Sequence, residues 1–387
     1  MGGLNEDLVG ERAARMRLAQ LAEPGDERLG HAIAQKGAVE VVDRIIKGDR
    51  GLAGVEHYRS RLSVDPDEPR RALDSLEGRF LIPGDGEWPT QLMALGEAAP
   101  WGLFVRGAEL RVAAARSVAL VGSRAATQYG ATVASELATD LALRGWTVVS
   151  GGAYGIDAAA HRGALVSGGG TIAALAFGVD TVYPRGHTEL FAQIVADGGA
   201  LVAELPPGAT PTKPRFLQRN RIIAALTRGT VVVEAQHRSG ALNTAARARR
   251  LGRQVMVVPG PVTSANSAGC HRLARADDPA RIVTDAAEII EEVGMVGELA
   301  DRVDPLLRVR DGLDPVSERV LEAMPSEAPV TVEVLSVAAG LDAGVVNGVL
   351  LRLVATGLVR EHPLGYARVQ GAADMVIPRP AKTRTGS

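Results

Sequence analysis

From Ser117 to Val258 the chain alternates short apolar runs with longer amphipathic ones, and no other feature restricts its fold as tightly. The apolar runs cover 118–121, 147–150, 171–177, 201–205, 230–234 and 254–258, and most are bounded by Gly or Pro. Short runs bounded in that way read as strands. Helical patterns at 127–144, 156–166, 188–196, 216–227 and 241–251 separate them. Parallel neighbours need a crossover of about a dozen residues, which these helices supply. Strands apolar on both faces must also be covered on both. The expected fold class is therefore α/β, a Rossmann-like parallel sheet covered by helices on both faces. Its ligand belongs at the carboxyl ends of the strands.

The flanks carry different patterns. Residues 1–75 read as a small helical domain of the SAM or helix-hairpin-helix kind. Ala14, Leu18 and Leu21 share one helical face before Glu23-Pro24-Gly25, a second helix covers 28–35, and Gly37-Ala38 opens a third with Val41, Val42, Ile45 and Ile46. A helix-Gly-helix unit can grip a nucleic-acid backbone, but packing is the commoner use and is the expectation here. An irregular connector ends as a strand at Leu103-Phe104-Val105. The central domain spans 80–296, a linker 297–312, and a second small domain 313–370. In that last domain three helices and a hairpin predict a winged helix. Its third helix, capped by Asp342, carries one basic residue, Arg352, where groove binding requires several. Protein contact, or weak DNA contact, is the expectation for this module. Residues 371–387 have the composition of a disordered tail.

Charge is the second constraint. The 387 residues carry a net charge of −2, so a polyanion site requires local clustering. Between Lys213 and Arg253 stand ten Lys or Arg against one acid, Glu234, a local net charge of +9. The densest part is the helix beginning near Lys213, which abuts the wholly apolar run Val231-Val232-Val233. A single cysteine, Cys270, excludes an internal disulfide and a Cys-based zinc site. No run approaches the length of a membrane span and no signal-like core opens the chain, so a cytoplasmic protein is expected.

The loops after the strands hold the candidate chemistry. Gly122-Ser123-Arg124 follows the first strand but lacks the GxGxxG of a dinucleotide site, and no GK[ST] marks a P-loop. What remains is an arginine and backbone N–H groups at a helix start, a seat for phosphate. In the second loop, Gly151, Gly152 and Gly155 let backbone approach a ligand, Asp157 caps the next helix, and His161 reads as structural. The third loop leads into Lys213, with Phe216 three residues on, so that a cation for phosphate and a ring for base stacking share one side of a turn. Arg219, Asn220 and Arg221 add donors, and Arg238, Ser239 and Gly240 form a further strand-to-helix turn. Glu234 is either a buried organiser or an acid, but no second carboxylate or nucleophile stands beside it in sequence. The side chains of Cys270 and His271 point apart, which argues against a nucleophile and its base. No catalytic residue, metal ligand or cofactor follows from these patterns.

Taken in order, several of these segments resemble the DNA processing protein A family (DprA, also called Smf). They are Val121-Gly122-Ser123-Arg124, Ser150 through Asp157, Gly178-Val179-Asp180 with Tyr183-Pro184, and Lys213-Pro214-Arg215-Phe216. Arg219-Asn220-Arg221-Ile222-Ile223, Val233-Glu234-Ala235 with Arg238-Ser239-Gly240, and Val258-Pro259-Gly260 complete the set. The resemblance covers roughly residues 85–275. It implies a non-enzymatic protein that binds single-stranded DNA in natural transformation and recombination, helps load a RecA-type recombinase, and works as a homodimer. The family's GSR arginine falls on Arg124, its binding lysine and aromatic on Lys213 and Phe216, and its RNR asparagine on Asn220. The segment Gly269-Cys270-His271-Arg272-Leu273 departs from the usual Gly-x-Asn-x-Leu-Ile, and 274–281 departs as well. The competing expectation is a nucleotide-processing enzyme on the same fold, of the lysine-decarboxylase-like phosphoribohydrolase group. That group's PGGxGTxxE motif is missing.

Overall fold

A computed structural model describes residues 2–295, 313–325, 328–355 and 357–369. Met1–Ala300 form one compact unit and Asp301–Ser387 a second. The expected linker, 297–312, and the expected tail, 371–387, lie outside the described residues.

The first unit opens with five helices, α1 (Gly2–Leu21), α2 (Glu27–Lys36), α3 (Ala38–Lys47), α4 (Val55–Arg59) and α5 (Glu68–Ser75). Strands β1 (Arg79–Leu81) and β2 (Leu103–Gly107) and helix α6 (Leu110–Ala115) follow. The alternation then runs β3 (Ser117–Val121), α7 (Gln128–Leu143), β4 (Thr147–Ser150), α8 (Ile156–Val166), β5 (Thr171–Leu175) and α9 (Thr188–Ala196). It continues with β6 (Ala200–Ala203), α10 (Lys213–Leu226), β7 (Gly229–Val232), α11 (Gly240–Arg250) and β8 (Gln254–Val257). Helix α12 (Ala268–Ala274), β9 (Arg281–Ile282) and α13 (Ala286–Val293) close the unit.

Nine strands form one sheet in the order β1-β2-β6-β5-β4-β3-β7-β8-β9. From β6 to β9 every pair is parallel, whereas β1–β2 and β2–β6 are antiparallel. The expected parallel sheet is thus a mixed one. The difference lies at its edge, where β2 comes from a connector without a crossover helix and lies against β6 in the opposite sense. Strand periodicity shows directly in the core. Ala119 and Val121 of β3 face one apolar cluster with Ile222, Ile223 and Leu226 of α10, while Val118 and Leu120 face another with Leu137 and Leu141 of α7. Burial of each such Val, Leu or Ile contributes about 1.5–3 kcal/mol, so the alternation holds the register against a one-residue slip.

The amino-terminal helices have a core of their own, built on Leu18, Leu21, Leu29, Val41, Ile45 and Tyr58, but Trp101 of the connector completes it. Arg12 pairs with Asp85 at 2.7 Å, and Glu23 with Arg215 of α10 at 2.8 Å. The helix-Gly-helix turn between α2 and α3 is not open to a phosphate. The Ala38 N–H donates to both carboxylate oxygens of Glu11, at 3.3 and 3.2 Å.

The second unit, described by itself, holds α14 (Pro315–Ala323), α15 (Val332–Ala339) and α16 (Ala343–Ala355). Strands β10 (Val359–His362) and β11 (Gly365–Arg368) follow as an antiparallel hairpin. These are the expected elements in the expected order. Asp342 accepts from the Gly344 N–H at 2.8 Å and so caps α16 as read. No single helix among the described residues is long and apolar enough to cross a membrane.

Candidate functional site

β3 and β7 are sheet neighbours, and the strand order departs from them in opposite directions, to β4 on one side and to β8 on the other. Loops leaving two such strands diverge and leave a crevice at their carboxyl ends. A cavity of about 810 Å³ lies there. It is lined by residues of the β3 loop (Gly122, Ser123, Arg124), the start of α10 (Lys213, Phe216, Arg219, Asn220) and the β7 loop (Arg238, Ser239, Gly240). Ten of the fourteen residues singled out from the sequence therefore meet around one space.

Each wall has a local cause. Gly122 passes between the start of α8 and the end of β7, where a Cβ would stand 2.4 Å from Ile156 Cγ1 and 2.9 Å from the Glu234 carbonyl oxygen. The Ser123 N–H donates to that carbonyl at 2.8 Å, which fixes the turn and presents Arg124 to solvent. The Arg124 guanidinium carbon lies 4.7 Å over the Phe216 ring. Phe216 in turn meets Tyr183 with ring centroids 5.9 Å apart. The aromatic expected to pair with Lys213 is thus stacked under Arg124, from the opposite wall. Tyr183, 44% exposed in the loop after β5, has no role in the sequence reading beyond its place in a motif. Its signal is there: an aromatic residue in a third loop at the same sheet edge.

The helix starts differ in what fills them. Glu234, 2% exposed, accepts from the Thr127 N–H at 2.9 Å and from the Thr127 hydroxyl at 2.6 Å, while Thr127 Oγ1 accepts the Gly130 N–H at 3.1 Å. The chain's own carboxylate therefore occupies the amino end of α7, where the sequence suggested a phosphate seat. Glu234 is the organiser, not an acid facing the cavity. Ser239 caps α11 by accepting the Ala241 N–H at 3.2 Å. At α10 the cap residue Thr212 makes no side-chain cap, and Thr212 and Lys213 both line the cavity. That amino end, of the three, is the one turned open toward the space.

Four residues stand apart from the cavity lining. Gly151, Gly152 and Gly155, which the sequence suggests for close approach to a ligand, each make room for protein instead. A Cβ on Gly151 would fall 2.5 Å from both Arg219 Nη2 and Asp157 Oδ2, one on Gly152 would fall 2.8 Å from the Phe191 ring, and one on Gly155 would fall 2.2 Å from the Ser123 carbonyl oxygen. Gly155 also has φ +77°, which a side chain rarely adopts. The second loop thus braces the first. Arg221, 1% exposed, is held bidentately by Glu204 at 2.8 and 2.7 Å beneath the site.

The basic cluster is smaller than its count. Arg215 pairs with Glu23, Arg249 lies 3.4 Å from Asp278, and Arg228 lies over the Trp146 ring at 5.2 Å. Arg219 lines the floor but is 7% exposed, and it donates to the Ala174 carbonyl. Burial lowers its pKa to about 10, against the opposing pull of Asp157. Among the described residues, Arg124, Lys213 and Arg238 line the cavity as exposed cations, and no acid pairs with any of them.

Other candidates resolve into structure. Asp157 stands in the first turn of α8, but the cap position is Gly155. The Asp157 carboxylate accepts from the Ala153 N–H at 3.3 Å in the preceding loop and lines the cavity floor. Burial raises its pKa, with Arg219 pulling it back. His161 is fully buried, with Nε2 2.7 Å from the Gly151 carbonyl oxygen and Nδ1 2.7 Å from the Thr171 hydroxyl. A carbonyl only accepts, so the neutral ring carries its proton on Nε2, and burial pushes its pKa down to about 4. Cys270 is buried, its Sγ 3.5 Å from the Val232 carbonyl oxygen, and desolvation pushes its thiol up to about 11. His271 lies 3.1 Å from the Gly260 carbonyl oxygen. Among the described residues no group of three or more His, Cys, Asp or Glu is placed to hold a metal ion.

Comparison with known proteins places this geometry. The family model for DNA recombination-mediator protein A matches residues 79–294. The chain is 45% identical over 386 residues to a Mycobacterium tuberculosis protein named DNA processing protein DprA, an alignment that covers 93% of this chain and 97% of that one. It is 36% identical over 361 residues to Protein Smf of Escherichia coli, with 90% and 93% covered. The X-ray structure of DNA processing protein A from Streptococcus pneumoniae superposes with a TM-score of 0.60 at 31% identity, covering 74% of this chain and 98% of that chain.

Proposed function

The chain belongs to the DNA recombination-mediator protein A family, and we propose that its cavity binds single-stranded DNA without chemical turnover. One observation carries the reading. Three exposed cations, Arg124, Lys213 and Arg238, line one cavity with the Phe216–Tyr183 aromatic pair, and among the described residues none of the three has an acidic partner. Cations spaced around aromatic rings suit a strand whose phosphates face outward and whose bases turn in. The uncapped start of α10 adds backbone donors beside Lys213.

Further proposals follow from family membership. The protein shields single strands in the cytoplasm during natural transformation and recombination, hands them to a RecA-type recombinase, and works as a homodimer. Within this reading Gly122, Ser123, Asn220, Ser239 and Gly240 shape the wall, and Arg124, Lys213, Phe216 and Arg238 make the contacts. Arg219 and Arg221 act from beneath.

The test is titration of labelled oligonucleotides across a salt series. With three phosphate contacts, log affinity should fall with log salt at a slope near −2, about −0.7 for each contact. Arg124→Ala and Lys213→Glu should each weaken binding on the order of tenfold or more and flatten that slope. Wild-type binding by both variants would place the site elsewhere. Incubation with nucleoside monophosphates should release no free base, and release would favour the enzyme reading.

A further inference from the structure

Seven of the ten basic side chains between Lys213 and Arg253 line the cavity or hold a partner within the protein, whereas Arg247, Arg250 and Arg253 do neither. Among the described residues no acid pairs with any of these three, and Arg247 Nε and Arg253 Nε are buried without an acceptor. The negative end of the α11 dipole favours cations in the last turn of that helix, which accounts for basic residues there. It does not account for buried N–H groups without acceptors, which are costly. Burial first, and then the charges of Arg250 and Arg221, lower the Arg247 pKa, while Glu27 opposes them. Like charges gathered in this way repel one another unless an anion joins them.

Gly240, Asn243, Arg247 and Arg250 follow one another at three- and four-residue steps, so they share one face of α11, beside the buried face of Ala241, Thr244, Ala245 and Ala248. That face begins at the cavity. Gly240 lines it, and Asn220 Nδ2 donates to the Gly240 carbonyl at 3.3 Å and to Asn243 Oδ1 at 3.5 Å. With a rise of about 1.5 Å per residue, Arg247 and Arg250 lie about 10 and 15 Å further along the helix. Arg253 follows in the turn into β8, its N–H on the Ala248 carbonyl at 2.9 Å. A row of cations matches a linear polyanion better than a compact anion. An acidic protein partner would look for large apolar anchors, and among the described residues 240–253 expose none. Granting the single-strand reading above, on which this step rests, we infer that the strand leaves the cavity along α11 and sets backbone phosphates on Arg247 and Arg250. Such contacts position the strand and read no base.

The experiment titrates oligo-dT strands of about 4 and about 12 nucleotides, within the range of single-strand site sizes, across a salt series. The shorter strand is confined to the cavity, and the longer one reaches α11. For the longer strand the slope of log affinity against log salt should be steeper by about 1.4, two further contacts at about 0.7 each. Arg247→Gln combined with Arg250→Gln, checked for an unchanged thermal melt, should return the longer strand to the slope of the shorter one and weaken it on the order of tenfold. The same variant should bind the shorter strand as wild type does. The wild-type comparison of the two lengths does not depend on that variant's folding. Equal slopes for the two lengths in wild type, or a steeper slope that survives in the variant, overturn the path along α11 and leave the cavity reading standing. Equal losses for both lengths in the variant overturn it as well. Binding of neither length by wild type overturns both readings.

Discussion

The two halves of α10 carry the same kind of residue to different ends. In the first turn Lys213 is exposed and Phe216 half-buried, and both face the cavity. Two turns later Arg219 and Arg221 are 7% and 1% exposed, and from Arg219 to Leu226 every residue is buried. Along α10 the residues pass from exposed at Lys213 to buried from Arg219 onward, where Ile222, Ile223 and Leu226 pack in the core with β3. At the rim a guanidinium or ammonium is available to an anion. At depth it must be partnered by protein, and Glu204 and the Ala174 carbonyl are there to do it. Sequence proximity therefore says little about shared function within this segment.

The largest expected effect separates the halves by stability. Arg221→Ala leaves the Glu204 carboxylate half-buried without its bidentate partner and should destabilise the fold by about 3–5 kcal/mol, read as a large drop in thermal midpoint. An unchanged melt would mean that this arginine is as dispensable as one at the rim.

A second expectation sharpens the contrast through pH. Burial holds His161 at about 4, below its ordinary 6.5, and its Nε2–H fixes the Gly151 carbonyl beside Arg219. As pH falls the unfolded chain takes up this proton first. The contribution is therefore full above pH 6.5 and is lost between 6.5 and 4, by on the order of 3 kcal/mol in all. Asp157, raised by burial, acts in the opposite sense, so the reading is the difference in pH dependence between wild type and His161→Gln. If the two melt in parallel across that window, His161 is not the buried anchor described.

The smallest effect belongs to the rim. Lys213→Ala should change stability by no more than about 0.5 kcal/mol, because the side chain is exposed and no acid among the described residues pairs with it, while weakening oligonucleotide binding. A substantial loss of stability would erase the distinction between the two halves.

Much of this architecture was legible beforehand because it rests on local patterns. Strand β4 and helices α8 and α9 have the bounds that alternation and glycine punctuation predict. The carboxyl-edge rule then brings Gly122, Lys213 and Arg238 to one crevice. Strand β9 was not legible, since two exposed residues, Arg281 and Ile282, carry no periodicity. The antiparallel sense of β2 was hidden too, because a run apolar on both faces looks the same in either direction.

Within the site, the sequence determined which residue types reach the crevice, since loop positions after strands follow from period and punctuation. Tertiary structure decided what each does there. Glu234 fills the amino end of α7 from 107 positions away, Glu23 takes Arg215 across 192, and Arg124 covers Phe216 from another strand's loop. Periodicity is a property of neighbours along the chain, whereas the depth of a charge and the identity of its partner are set by how the helix lies on the sheet. For that reason only two of the ten basic residues between Lys213 and Arg253, Lys213 and Arg238, line the cavity as exposed cations, Arg124 joins them from another strand's loop, and a carboxylate expected to cap a helix lines the cavity instead.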